Sequence, residues 1–162
     1  MTDDRIPQFA YTHSDGSSTT LLRIRSGAER TIRNLLRLLG EPWRSTVSLW
    51  PVPEDVDFFA IKNPSRSFVQ AAGSAEAMTI EWGHFDDNGD WHVATLGHGG
   101  PRSGEPDVEI SFYDGKQQKL VYPDEVFDAA EAAETFIHYL DGEAVPDRYV
   151  LREYDLAPSE PS

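Results

Sequence analysis

Three histidines, His84, His92 and His98, stand close together in the middle of the chain with Asp86, Asp87 and Asp90 among them. Imidazoles and carboxylates are the ligand types of zinc and calcium, so their spacing is the first thing to test. No His-x-x-x-His pair would bring two imidazoles to one helix face. Asp86-x-Asn88-x-Asp90 copies the opening of a calcium loop, but the glycine such a loop needs at its sixth position would fall at Trp91. Asn88-Gly89 explains the acidic cluster more simply, as a hairpin turn of type I′. Gly97-His98-Gly99-Gly100 resembles the oxyanion loop of esterases, yet the chain has no Gly-x-Ser-x-Gly elbow to go with it. Its glycine spacing fits neither a dinucleotide-binding nor a phosphate-loop fingerprint, and a connecting loop is the expectation. Cysteine is absent, which removes thiolate nucleophiles, thiolate metal sites and disulfides together. No catalytic residue, no metal site and no cofactor are expected.

The other chemistry in the chain is charge. Asp124 to Glu143 reads as an amphipathic helix with seven carboxylates and no Lys or Arg. At about 100° per residue Val126, Ala130, Ala133, Ile137 and Leu140 form its apolar stripe. Asp124, Asp128 and Glu131 lie opposite that stripe, with Glu134 and Glu125 on the flanks. Like charges four apart repel by a few tenths of a kcal/mol, and nothing within the segment offsets them. Asp124, Asp128, Glu131 and Glu134 are therefore the expected contacts to a basic partner, with Glu81, Trp82 and the Gly97 to Pro106 loop as secondary candidates. The net charge of −14 agrees with that polarity. It opposes direct binding to nucleic acid or to anionic membranes. Arg30, Arg33 and Arg37 line one helix face and have two readings, a phosphate-binding face or a counter-charge for acidic groups near the C-terminal helix. The overall charge favours the second.

These groups need a scaffold of 162 residues, which suits a single domain able to bury roughly two-thirds of its unfolded surface. Residues 1–15 read as a flexible N-terminus, 16–156 as one domain, and the Pro-rich 157–162 as a disordered tail. Thr19 to Arg25 is expected as a first strand. A helix follows from Ser26, where Ser26 and Glu29 form a capping-box pattern, with Ala28, Ile32, Leu35, Leu36 and Leu39 inward and Gly40-Glu41-Pro42 as its stop. Short β-type runs come next at Val47–Val52, Asp57–Lys62, Ser67–Ala72, Met78–Gly83 and Trp91–Thr95. Asp107–Tyr113 and Gln118–Tyr122 flank an Asp114-Gly115 turn, and Arg148–Tyr154 closes the chain as a strand after the acidic helix. Trp43, Trp50, Trp82 and Trp91 are assigned mostly to the sheet core, some of them as partly exposed interface anchors. The fold expected is α+β: an antiparallel meander sheet of about five to seven strands with two helices packed on one face. No apolar run approaches a membrane span and no basic, apolar leader opens the chain, so a cytoplasmic protein is the default.

From Asn63 onward the chain resembles the Imm1 family of bacterial immunity proteins of polymorphic toxin systems. The resemblance is carried by Asn63-Pro64, Phe68–Gly73 (FVQAAG), Met78–Trp82 (MTIEW), Val121–Val126 (VYPDEV), Ala129–Tyr139, Val145-Pro146 and Tyr149–Asp155 (YVLREYD). It covers about the last 95 residues, and the order of these short elements carries it more than any one of them. It implies an α+β fold and a cognate toxin domain as partner. Toxins of such systems are often deaminases that act on a flipped or single-stranded base, whose substrate channels are basic. The expected function is therefore an immunity protein, not an enzyme, that occludes a toxin's active site with an acidic surface. The alternative is a small cytoplasmic regulatory or ligand-binding module, whose mark would be a pocket lined by the tryptophans and His98. Oligomeric state stays open, with a monomer favoured.

Overall fold

The computed structural model describes residues 4–41, 44–62, 65–112 and 117–153. Nine strands and two helices follow one another as β1 (Phe9–His13), β2 (Ser18–Thr20), α1 (Arg25–Arg37), β3 (Thr46–Pro51), β4 (Phe68–Gly73), β5 (Met78–Phe85), β6 (Trp91–Gly97), β7 (Val108–Phe112), β8 (Gln117–Val121), α2 (Ala129–Tyr139) and β9 (Val150–Glu153). Seven strands form one antiparallel sheet in the order β2-β1-β3-β4-β5-β6-β9. Among the described residues β7 and β8 pair only with each other. The protein is thus α+β, and among the described residues no helix is long and apolar enough to cross a membrane.

Alternation places Val47, Leu49, Val69, Ala71, Met78, Ile80 and Leu96 on one sheet face. That face buries Ala28, Ile32 and Leu36 of α1 and Ala132, Ala133, Phe136 and Tyr139 of α2 in a single core. Both helices therefore sit on the same side, α1 packed on α2. On the opposite face Ala10, Trp50 and Val52 make a smaller cluster, closed by Phe58, Ile61 and Phe68. Next to it a row of polar residues crosses the sheet in register: Ser18, Thr12, Ser48, Gln70, Glu81, Thr95 and Arg152, one per strand. Two neighbouring pairs of the row are bonded, Thr12 to Ser18 at 2.8 Å and Ser48 to Gln70 at 2.7 Å. The β7–β8 hairpin lies over this second face, sending Lys119 to Glu81 and to Thr95.

Several expectations are corrected. The segment assigned as a flexible N-terminus holds β1, an interior strand, with Ile6, Phe9 and Ala10 buried. Its five-residue alternation of Phe9, Tyr11 and His13 was too short to stand out against a polar background. The first strand stops at Thr20, and Leu22 and Ile24 end up exposed. The Ser26 capping box does not form: α1 begins at Arg25 behind Ile24, which offers no side-chain cap. Asp57–Lys62 is not a strand but a 3-10 turn over Phe58–Ala60, capped by Asp57 accepting from the Phe59 amide at 3.0 Å. At the Asn88-Gly89 hairpin only Gly89 has positive φ, at 84°. The Gly89 amide bonds the Asp86 carbonyl at 2.9 Å, a type I turn followed by a left-handed glycine rather than type I′.

The acidic helix is shorter than expected. Pro123–Glu125 is a 3-10 turn, and Phe127, fully buried, then pairs its backbone with Met78 at 2.8 and 2.9 Å. Only after that bridge does α2 begin, with the Asp128 carboxylate accepting from the Glu131 amide at 2.9 Å. The buried stripe rotates accordingly. Ala133 and Leu140 are buried as expected, but Ala130 is exposed and Phe136 and Tyr139 carry the core. Trp50 is a core residue, Trp82 and Trp91 are half-buried, and Trp43 lies outside the described residues. So do Asn63-Pro64, the Asp114-Gly115 turn and the 157–162 tail.

Candidate partner-binding surface

The acids expected to face a partner are largely answered from within. Asp124 accepts from Arg102 Nε and Nη2, both at 2.9 Å, and from the Gly99 amide at 3.0 Å. Glu125, fully buried, accepts from Arg152 Nε and Nη2 at 2.9 Å each and from the Tyr122 amide at 2.8 Å. Both guanidiniums also lie on the Tyr122 ring, Arg102 at 4.6 Å and Arg152 at 5.4 Å from its centroid. Glu81 pairs with Lys119, whose burial lowers its pKa against the pull of that carboxylate. Three cations therefore face three carboxylates, a closed cluster that ties β8, β9, the 3-10 turn and the Gly97–Pro106 loop to the sheet. Gly97 admits it: a Cβ there would lie 2.6 Å from Arg102 Nη2 and 2.7 Å from Asp124 Oδ2.

Arg102, helped by the Gly99 amide, holds the Asp124 carboxyl down at about 2 even though burial opposes its charge. A lowered folded-state value stabilises the fold above the ordinary carboxylate value of 3.8, and that stability is lost as pH falls towards about 2. It amounts to about 2 kcal/mol for this nearly buried side chain. Between about pH 5 and pH 2 the melting temperature of the protein should fall more steeply than that of Asp124→Asn. Parallel melting curves would show that the pair contributes nothing.

Glu131 is likewise engaged. Its carboxylate meets His98 Nε2 at 2.8 Å and accepts from the Tyr149 hydroxyl at 2.7 Å, while the His98 ring stacks on Phe127 with centroids 4.4 Å apart. Burial works against protonated His98, but Glu131 and the Asp124 carbonyl outweigh it and raise its pKa. At the far end of β6, His92 lies between Asp86 at 2.7 Å and Glu153 at 2.8 Å, and these two acids raise its pKa. Among the described residues no three His, Asp or Glu side chains converge as a metal site. Trp82 donates Nε1–H to the Glu143 carbonyl at 3.2 Å and stacks on His84. Of the six expected contacts only Asp128 and Glu134 are exposed, and Asp128 is already a helix cap.

The arginine stripe also departs from the favoured reading. Arg30 and Arg33 are exposed and make no ion pair among the described residues, and Arg37 bonds the Asn34 side chain at 2.7 Å. The link from α1 to the end of α2 is instead Arg25 to Asp141 at 2.6 Å.

What the sheet exposes lies at one end. β3 and β5 both finish there, so the 52–67 connection and the 86–90 turn leave the same edge, with bases about 10 Å apart. Phe59 stands 89% exposed on the first, held by Phe58 beneath it, which in turn stacks on Trp50. Phe85, 50% exposed, sits opposite Trp91 at the second. The same two loops expose Glu54, Asp55, Asp57, Asp87 and Asp90, against Lys62 and Arg66. No spacing rule flagged this rim, because Phe58-Phe59 in a β-type run reads as core. Below the 52–62 segment an apolar groove of about 590 Å³ contains Trp50 but not His98, which parts it from the expected Trp–His pocket.

Comparison with known proteins gives no matching family model, no matching curated protein and no matching solved structure, so fold and site geometry stand on this chain alone.

Proposed function

We propose that this chain is an immunity protein that binds and neutralises a basic, nucleic-acid-acting toxin in the cytoplasm, performing no chemistry itself. The observation that supports it most is the rim: two exposed phenylalanines on neighbouring loops whose exposed carboxylates outnumber their exposed cations. Exposed aromatics anchor interfaces because they bury large area at small entropic loss, and surrounding acids attract a cationic surface. Phe59 is presented on an ordered turn with its own cap and aromatic support, so little ordering would be needed on binding. The resemblance to the Imm1 family adds support of another kind. Two of the segments that carry it, VYPDEV and YVLREYD, meet in the buried Glu125–Arg152 pair. On this reading the acidic docking surface is the loop end of the sheet rather than α2.

The test is co-expression with a toxin encoded by an adjacent gene, the neighbour that the family resemblance implies. Rescue of growth and a salt-sensitive complex are expected, with association slowing about tenfold or more between roughly 20 mM and 300 mM NaCl. An absence of both rescue and complex would end the immunity reading. Rescue with salt-independent association would end the electrostatic part of it.

A further inference from the structure

The groove beneath the 52–62 segment is built on the same connection that carries Phe59, on the side turned towards α2. Phe9, Trp50, Val52, Val56, Ile61 and Leu140 give it apolar walls, and Glu54 and Glu143 stand at its mouth. Its volume of about 590 Å³ falls in the range of sites that enclose a ligand or several side chains. Glu54 is already answered by Arg23 at 2.7 Å, whereas no cation pairs with Glu143 among the described residues. Glu143 is also the one non-glycine among the described residues with positive φ, at 60°. Three bonds hold it there. Its amide bonds the Tyr139 carbonyl at 2.9 Å, its carbonyl accepts from Trp82, and its carboxylate accepts from the Ser67 hydroxyl at 2.9 Å. A left-handed glutamate fixed by three partners at the mouth of an apolar groove is a charge held in place there, and strained backbone of this kind concentrates at functional positions.

We infer that the groove receives a short segment of the protein partner in which one or two apolar side chains are flanked by Lys or Arg. The inference rests on the partner-binding reading and adds the chemistry of what is bound. Apolar walls select the side chains. The unanswered Glu143, with exposed Asp55 and Asp57 beyond it, selects the flanking charge. A segment carrying acids at the same places would meet like charge at the mouth.

Two capped pentapeptides serve as probes, Leu-Lys-Phe-Lys-Leu and Leu-Glu-Phe-Glu-Leu, titrated into the full chain with labelled methyl groups. The basic peptide should shift the methyl signals of Val52, Val56, Ile61 and Leu140 saturably, and the acidic one should bind at least about tenfold more weakly. Glu143→Gln, which keeps the backbone and the Ser67 bond, should weaken the basic peptide about threefold to fivefold. Val56→Trp should fill the groove and abolish binding while the melting temperature holds; Ile61→Trp is the substitute if that variant does not fold. Equal binding of both peptides, or shifts away from these methyls, would overturn the inference. A cognate toxin that binds the protein and a folded groove-filled variant equally well would also overturn it and leave the immunity reading standing. Peptide binding in the groove without any toxin complex would do the reverse.

Discussion

Replacing Arg152 by methionine is expected to lower the unfolding free energy by about 3 kcal/mol and the melting temperature by roughly 6–12 °C. The size follows from what is left behind. Glu125 is fully buried, and two of its shortest contacts are the Arg152 nitrogens at 2.9 Å. Without them it keeps the Tyr122 amide and a longer contact to Arg102 at 3.4 Å, too little to solvate a carboxylate inside the fold. Removing one partner of a buried pair costs more than removing both, because the survivor remains charged and dry. The double variant Glu125→Leu with Arg152→Met should therefore recover a large part of the loss. Chemical unfolding of the four members of the cycle measures this directly. A single-variant cost below about 1 kcal/mol, typical of exposed pairs, would mean that Glu125 finds water in solution.

Truncating Phe59 to alanine should weaken the proposed toxin complex about thirtyfold or more, chiefly through faster dissociation, and leave the free protein's melting temperature unchanged within about 2 °C. Phe59 is 89% exposed, so the free protein has almost nothing to lose. Phe58 beneath it packs on Trp50 and keeps the turn in place after truncation. Phe85→Ala is the companion variant, expected to act in the same direction by a smaller factor since half its surface is already covered. Surface plasmon resonance on the purified pair separates the two rates. If both variants dissociate like the parent, the interface lies elsewhere, and the exposed Arg30 and Arg33 face of α1 becomes the next surface to test.

The strands β3 to β6 were legible because each is a short β-type run bounded by glycine, proline or a turn. The inward face of α1 was legible through the helical spacing of Ala28, Ile32 and Leu36. The start of α2 was not. A backbone bridge between Phe127 and Met78, 49 residues apart, overrides a helical pattern that reads continuously from Asp124. The candidate site was hidden by distance as well. Asp124 finds Arg102 22 residues away, Glu125 finds Arg152 at 27 and Glu81 finds Lys119 at 38. Local spacing cannot reveal such pairs, so carboxylates that belong to the interior counted as docking charge. Phe59 failed in the other direction: an apolar residue in an apolar run carries no mark of facing solvent.

The pairing of β6 with β9 joins positions more than fifty residues apart, Leu96 with Leu151 among them, and brings Arg152 to Glu125 in the same step. Synthesis proceeds at about 5–20 residues per second from the N-terminus. A nascent chain that has just released α2 therefore has a sheet with an open edge at β6, and beneath it a Glu125 carboxylate still without its two Arg152 contacts. Neither is closed until β9 has emerged from the ribosome. On the proposed immunity reading, protection should accordingly switch on late and all at once, and nonsense truncations before Val150 should give protein that is degraded rather than partly protective.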